Sequence, residues 1–267
     1  MDKAIKKLTA VLCCLALPIL FYEQAVFFVA KILNGLCSSL DNTTPDSPSI
    51  SFLKENMVIL YSSIGAIFIS AVLGIVYHVL KKRSLRPADG QRLRVSQYGY
   101  AVFFGVAGAI FFNLLMEFSR LPELLPASES IEAATAQSHW LLTGLCTCLL
   151  IPVAEELIFR GMGFLLLRKY MGYLSTALLT SVTFALFHGN APQIFYGFCM
   201  GLLLAHTTEH YRTLLAAVLF HCAANLTSFS FLGTTAQKEL IFSVPVLGLS
   251  GIAAAWLYHK IRDIRRD

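Results

Sequence analysis

Charge is what this chain of 267 residues has least of: Asp, Glu, Lys and Arg together make up 14% of it, against about 25% in an ordinary soluble domain. A chain of this size must still cover its surface in water, so a larger core cannot absorb the shortfall, and a soluble globular domain is excluded. A disordered chain is excluded too, because 56% of the residues are hydrophobic. The seven cysteines do not build a disulfide scaffold. Their number is odd, and all but Cys37 lie inside apolar runs, where a cysteine behaves as a small hydrophobe. Cys146 and Cys148 lack a second pair at zinc-site spacing. No solenoid-period repeat, low-complexity tract or basic stripe with interleaved aromatics is present, so the net charge of +5 does not point to nucleic acid.

In place of charge there are long apolar runs. A bilayer core takes about 20 apolar residues per helix, and on that measure the spans are 8–30, 57–80, 97–116, 139–167, 173–189, 194–208, 212–230 and 240–259. The expected fold is all-α: a polytopic membrane helical bundle of about eight transmembrane helices. Region 1–95 holds two leading helices, an outer loop over 34–56 and a basic cytoplasmic loop over 81–94; region 97–267 is the main bundle. The basic start and apolar run through Phe21 resemble a secretory signal. The run continues past Glu23 to Ala30 without a small-x-small cleavage site, so it reads as an uncleaved first helix. With the N-terminus in the cytoplasm, sixteen of the 21 lysines and arginines lie on inner segments. Only Lys31, Lys54, Arg120 and Lys238 lie on or near the outer side, and Arg160 is within a span. The positive-inside rule then puts both termini in the cytoplasm and Cys37 outside.

The fourth span carries three charges, in the run Pro152-Val-Ala-Glu-Glu-Leu-Ile-Phe-Arg-Gly161. Each costs at least ~2.5–3.5 kcal/mol at mid-membrane, on the order of 8 kcal/mol for the three, so an intramembrane ionisable group is a functional candidate by default. Glu156 and Arg160 stand at i and i+4, the spacing of a same-face ion pair; a structural pair and a substrate-binding arginine remain alternatives. Glu155 is turned ~100° away from Glu156 and requires partners of its own. A carboxylate held in a site of low dielectric suits a general base. His188 ends one further span, one turn after Phe184. His221 and Asn225 project at i and i+4 from another. Counting ~1.5 Å per residue from the inner helix ends puts Glu155, His188, His221 and Asn225 in one polar layer drawn from three helices.

These residues resemble a known family. Glu155-Glu156-x-x-x-Arg160, Phe184-x-x-x-His188 and His221-x-x-x-Asn225 are similar to the three ordered motifs of the CPBP intramembrane proteases. That family includes the CAAX prenyl endopeptidases and bacterial members called Abi or lysostaphin-resistance-like proteins. The resemblance covers about residues 139–230, and the flanking Phe159, Gly161 and Gly189 fit it. It implies an intramembrane endopeptidase acting on a hydrophobic or lipid-modified peptide. It also implies Glu155 as the catalytic glutamate, His188 as its partner in orienting a water, and His221 and Asn225 as oxyanion stabilisers, with Glu156 and Arg160 in support. For the bacterial members it implies the inner (cytoplasmic) membrane and peptide maturation or bacteriocin immunity. Glu155, His188 and His221 would also make a three-ligand set for a divalent metal such as zinc, although an acid–imidazole pair can activate water without one.

Competing readings are a non-catalytic membrane scaffold or bacteriocin-immunity protein, and a proton-coupled transporter. The transporter reading lacks an inverted repeat or paired broken helices. His206-x-x-Glu209-His210 spells the inverted zincin motif, but its place at a helix end favours a solvated terminus. Glu23 has no assigned role. The expected partners are the peptide substrate and the lipid bilayer; oligomeric state is not legible.

Overall fold

A computed structural model describes residues 3–43, 47–84, 93–120, 138–188, 191–231 and 244–264, and side chains for all of these except 81–84 and 231. Among the described residues the chain forms eight helices and no strand: α1 (Lys3–Thr43), α2 (Pro48–Ser84), α3 (Val95–Phe118), α4 (Trp140–Leu167), α5 (Tyr173–Leu186), α6 (Ala191–Tyr211), α7 (Leu214–Phe231) and α8 (Val244–Asp263). Five of them (α1, α2, α3, α4 and α8) are long and apolar enough to cross a membrane. The chain is an integral, multi-pass membrane protein.

Helix α4 lies between two packed halves. On one side α1 and α2 form a long hairpin whose buried residues Leu15, Tyr22 and Ile69 meet Ala154 and Phe159 of α4 and Phe184 of α5. On the other, α3, α6, α7 and α8 share a core that includes Phe104, Leu204, Phe220 and Ile261. Helices α3 and α7 approach backbone to backbone at Gly105, where a Cβ would lie 2.2 Å from the Phe220 carbonyl oxygen. Only glycine permits that crossing.

Three sequence expectations change. The segment 34–56, expected as an outer loop, is mostly helix. α1 runs on to Thr43 and α2 begins at Pro48, and the hydroxyls of Ser38 and Ser39 fold back onto the carbonyls of Asn34 and Gly35. A helix leaving the bilayer keeps its own hydrogen bonds, so polar composition marks the exit from lipid and not the end of the helix. Cys37, expected to be open to the outside, is buried at 7% exposure. The fifth span is also shorter than expected: α5 has 14 residues, about 21 Å of helix, and ends just before His188. Residues 85–92 of the basic loop lie outside the described residues, as does Gly189.

The helices α1 and α4 are widened locally. The Leu17 N–H bonds to the Leu12 carbonyl in α1. In α4 the Ile151 N–H bonds to Cys146 and the Leu165 N–H to Arg160. These five-residue steps are π-helical turns, which re-aim the side chains that follow them and recur at functional sites. One of them, Leu157–Phe164, begins immediately after Glu156.

Candidate active site

The site is organised around one imidazole. His221 of α7 is 5% exposed, and Glu156 and Arg160 have no exposed surface. His221 Nδ1 lies 2.8 Å from Glu156 Oε1, and His221 Nε2 lies 3.6 Å from Glu155 Oε2. Glu156 Oε1 also receives Arg160 Nη1 at 3.2 Å, the i,i+4 pair legible in the sequence. Arg160 donates Nη2 to the Gly201 carbonyl at 3.2 Å and stacks 4.5 Å above the Phe184 ring. Arg160 is fully buried and paired with Glu156. The separate partners expected for Glu155 give way to a shared one, because an imidazole carries a nitrogen on each side and His221 stands between the two carboxylates.

The other two polar residues are held by backbone carbonyls that the helices leave unsatisfied. At the end of α5 the His188 N–H bonds to Ala185, three residues back. The Phe184 carbonyl is thereby released, and it takes His188 Nδ1 at 2.9 Å. A carbonyl oxygen can only accept, so Nδ1 carries a hydrogen, and Nε2 is the nitrogen left to face the cavity in either charge state. In α4 the Ile151 N–H goes to Cys146, so Thr147 loses its usual donor; the next residue along, Pro152, has no N–H to offer. The Thr147 carbonyl therefore accepts Asn225 Nδ2, at 2.9 Å. That bond uses one of the two amide hydrogens of Asn225 and fixes the plane of the other. Sequence reasoning did not reach Thr147, although a proline five residues downstream was the available signal.

His188, His221 and Asn225 line one cavity with Tyr196, Phe184 and Phe220. Its volume is about 30 Å³, enough for about two water molecules at ~10–15 Å³ each. Glu155 is 7% exposed and approaches from α4, through His221. Glu156 Oε2 and Arg160 Nε are buried without a hydrogen-bond partner among the described residues. The small residues Ser181 and Gly201 let α5 and α6 meet closely, a Cβ on Gly201 falling 3.0 Å from that of Ser181. This approach brings the Gly201 carbonyl to Arg160.

The fit to a metal can be tested on donor placement. Among the described residues no three of the histidine, cysteine, aspartate and glutamate side chains are grouped to hold an ion. Glu155, His188 and His221, the set considered from sequence, are not such a group.

The remaining singled-out residues fall outside the site. His206, expected at a solvated helix end, is 2% exposed. It stacks on Tyr258 at 3.7 Å between ring centroids and places Nε2 3.0 Å from the Tyr258 carbonyl. Helix α8, which the local motif cannot reveal, covers it. Glu209 is held by both Arg168 Nε and Nη2 at 2.9 Å, so the zincin-like spacing holds no metal-ligand set. Glu23 is exposed on α1.

Residues 137–227 match the family model for type II CAAX prenyl endopeptidase Rce1-like proteins. This third of the chain spans α4 to α7 and contains every residue of the three motifs, so the chain carries an Rce1-like domain, at family level a CAAX-type intramembrane protease. No curated protein and no solved structure matches the chain.

Proposed function

We propose that this membrane-embedded Rce1-like domain hydrolyses a peptide bond in a hydrophobic or lipid-modified peptide, using a water activated by Glu155 and His188. The observation that carries the reading is the convergence, on one small cavity, of an imidazole held through Nδ1 by a backbone carbonyl and of a second imidazole whose Nε2 lies 3.6 Å from the Glu155 carboxylate. A cavity of this size admits water, as hydrolysis in a bilayer requires.

Glu155 removes a proton from the water, which His188 Nε2 orients, and the hydroxide adds to the scissile carbonyl carbon. The oxyanion so formed meets the free amide hydrogen of Asn225, a donor held in advance by Thr147, beside the His221 ring that Glu156 holds in place. The proton held by Glu155 then passes to the amine nitrogen as the carbon–nitrogen bond breaks. Glu156 and Arg160 keep His221 in register.

Glu155→Gln tests the reading. The variant is expected to insert and fold like wild type and to lose activity on a farnesylated CAAX-ended peptide by about 10²–10⁴-fold, the range for a general base. Full activity in Glu155→Gln would overturn the mechanism. Chelation of the purified protein is expected to leave cleavage unchanged; loss of cleavage with recovery on adding zinc would replace this route with a metal-assisted one.

A further inference from the structure

Tyr196 lines the same cavity as His188, His221 and Asn225, yet belongs to none of the three sequence motifs. Its phenolic oxygen is 3.3 Å from Ser228 Oγ of α7. Ser228 follows Asn225 by three residues and His221 by seven, so it continues the polar face of α7. Ser228 Oγ in turn receives Asn113 Nδ2 of α3 at 3.0 Å, and Asn113 donates its other contact to the Ala109 carbonyl at 2.8 Å. A tyrosine, a serine and an asparagine from three helices thus form a chain that ends on the cavity wall.

Hydrogen accounting fixes the first bond of this chain. Asn113 Nδ2 can only donate, so Ser228 Oγ accepts from it. The described residues offer the Ser228 hydroxyl hydrogen one recorded acceptor, Tyr196 Oη. Either hydroxyl of the Tyr196–Ser228 pair can be the donor; with Ser228 donating, the relay runs from Asn113 through Ser228 to Tyr196 and the phenol hydrogen is left for the cavity. A phenol made an acceptor in this way is a better donor, because hydrogen bonds in a chain polarise one another. Asn225 has one amide hydrogen already committed to Thr147, and His221 Nδ1 is committed to Glu156, so a further donor is of use here.

Resting on the protease reading above, we infer that Tyr196 is a further catalytic residue: its hydroxyl donates to the oxyanion of the tetrahedral intermediate, and Ser228 and Asn113 position it. No covalent bond to Tyr196 is formed and its proton stays on the phenol oxygen.

The test compares wild type, Glu155→Gln, Tyr196→Phe and Ser228→Ala as full chains in nanodiscs, on a farnesylated CAAX-ended fluorogenic peptide. Tyr196→Phe keeps the ring and is expected to lower kcat about a hundredfold, the scale of one lost oxyanion donor, with KM within about twofold of wild type. Ser228→Ala is expected to lower kcat by about fivefold, as for one neutral hydrogen bond. A Tyr196→Phe enzyme with wild-type kcat, or with the whole loss in KM, overturns the proposal while Glu155→Gln remains inactive and the parent reading stands. A wild type that does not cleave, or a Glu155→Gln variant that cleaves as well, overturns both. Should Tyr196→Phe unfold on heating well below wild type, Ser228→Ala decides: unchanged kcat there overturns the role of the chain.

Discussion

Helices α1 and α4 are nearly equal in mean hydropathy, 2.0 and 1.8, yet 17% of the apolar window of α1 is buried inside the protein against 44% for α4. On α1, large side chains such as Phe27 and Phe28 stand exposed at 67% and 63%. On α4, every residue from Ala154 to Leu167 is buried. In a bilayer both are stable, because lipid tails solvate an apolar face as well as a neighbouring helix does. Hydropathy therefore measures whether a helix enters the membrane and is silent on what surrounds it there. What sets α4 apart is a cluster of charges inside its buried stretch: Glu155, Glu156 and Arg160 lie within the protein, with Glu156 paired to Arg160 and His221.

The comparison can be broken most sharply at Arg160. Arg160→Met removes a guanidinium whose partner Glu156 has no exposed surface and would keep only His221, and removing one partner of a buried ion pair costs about 3–5 kcal/mol. Thermal unfolding in detergent should show this, and most of the loss should return in the double variant Arg160→Met with Glu156→Gln. A near-neutral single variant would mean that water reaches Glu156. Next in size is Gly105→Val, which drives a side chain into the Phe220 carbonyl and should cost at least about 1–3 kcal/mol by overpacking.

At the α6–α7 turn the expected sign reverses. Arg212 adopts φ 49°, a left-handed conformation that costs a side-chain-bearing residue about 1–2 kcal/mol. Arg212→Gly should therefore raise stability by roughly 1 kcal/mol, less the greater freedom glycine has in the unfolded chain. The smallest effect is expected on the lipid-facing side: Phe27→Ala should shift unfolding by no more than about 0.5 kcal/mol, as for a side chain outside the packed core. A loss of several kcal/mol there would mean that α1 is covered by something other than lipid.

The Glu156–Arg160 pair was legible before any coordinates, because i,i+4 geometry is a property of one helix. The meeting of Glu155 with His221 was legible only as a shared depth, since depth counts residues along each helix and carries no rotation between helices. Thr147 and Tyr196 were not legible in the same way. The first acts through a backbone carbonyl, which has no letter in the sequence. The second depends on three helices crossing at one place. The covered position of His206 was misread because its burial comes from α8, some fifty residues away along the chain.

By itself the amino-acid sequence determined that this protein lies in a membrane, roughly where its helices run, and which ionisable groups must be sheltered from lipid. Those properties follow from local transfer energies and helical periodicity. Only the tertiary structure decided which nitrogen faces which carboxylate, which carbonyls are released by the widened turns of α4 and the end of α5, and how small a chamber they enclose. Such features depend on the rotation and approach of packed helices, and close packing sets these through contacts between residues far apart in the chain.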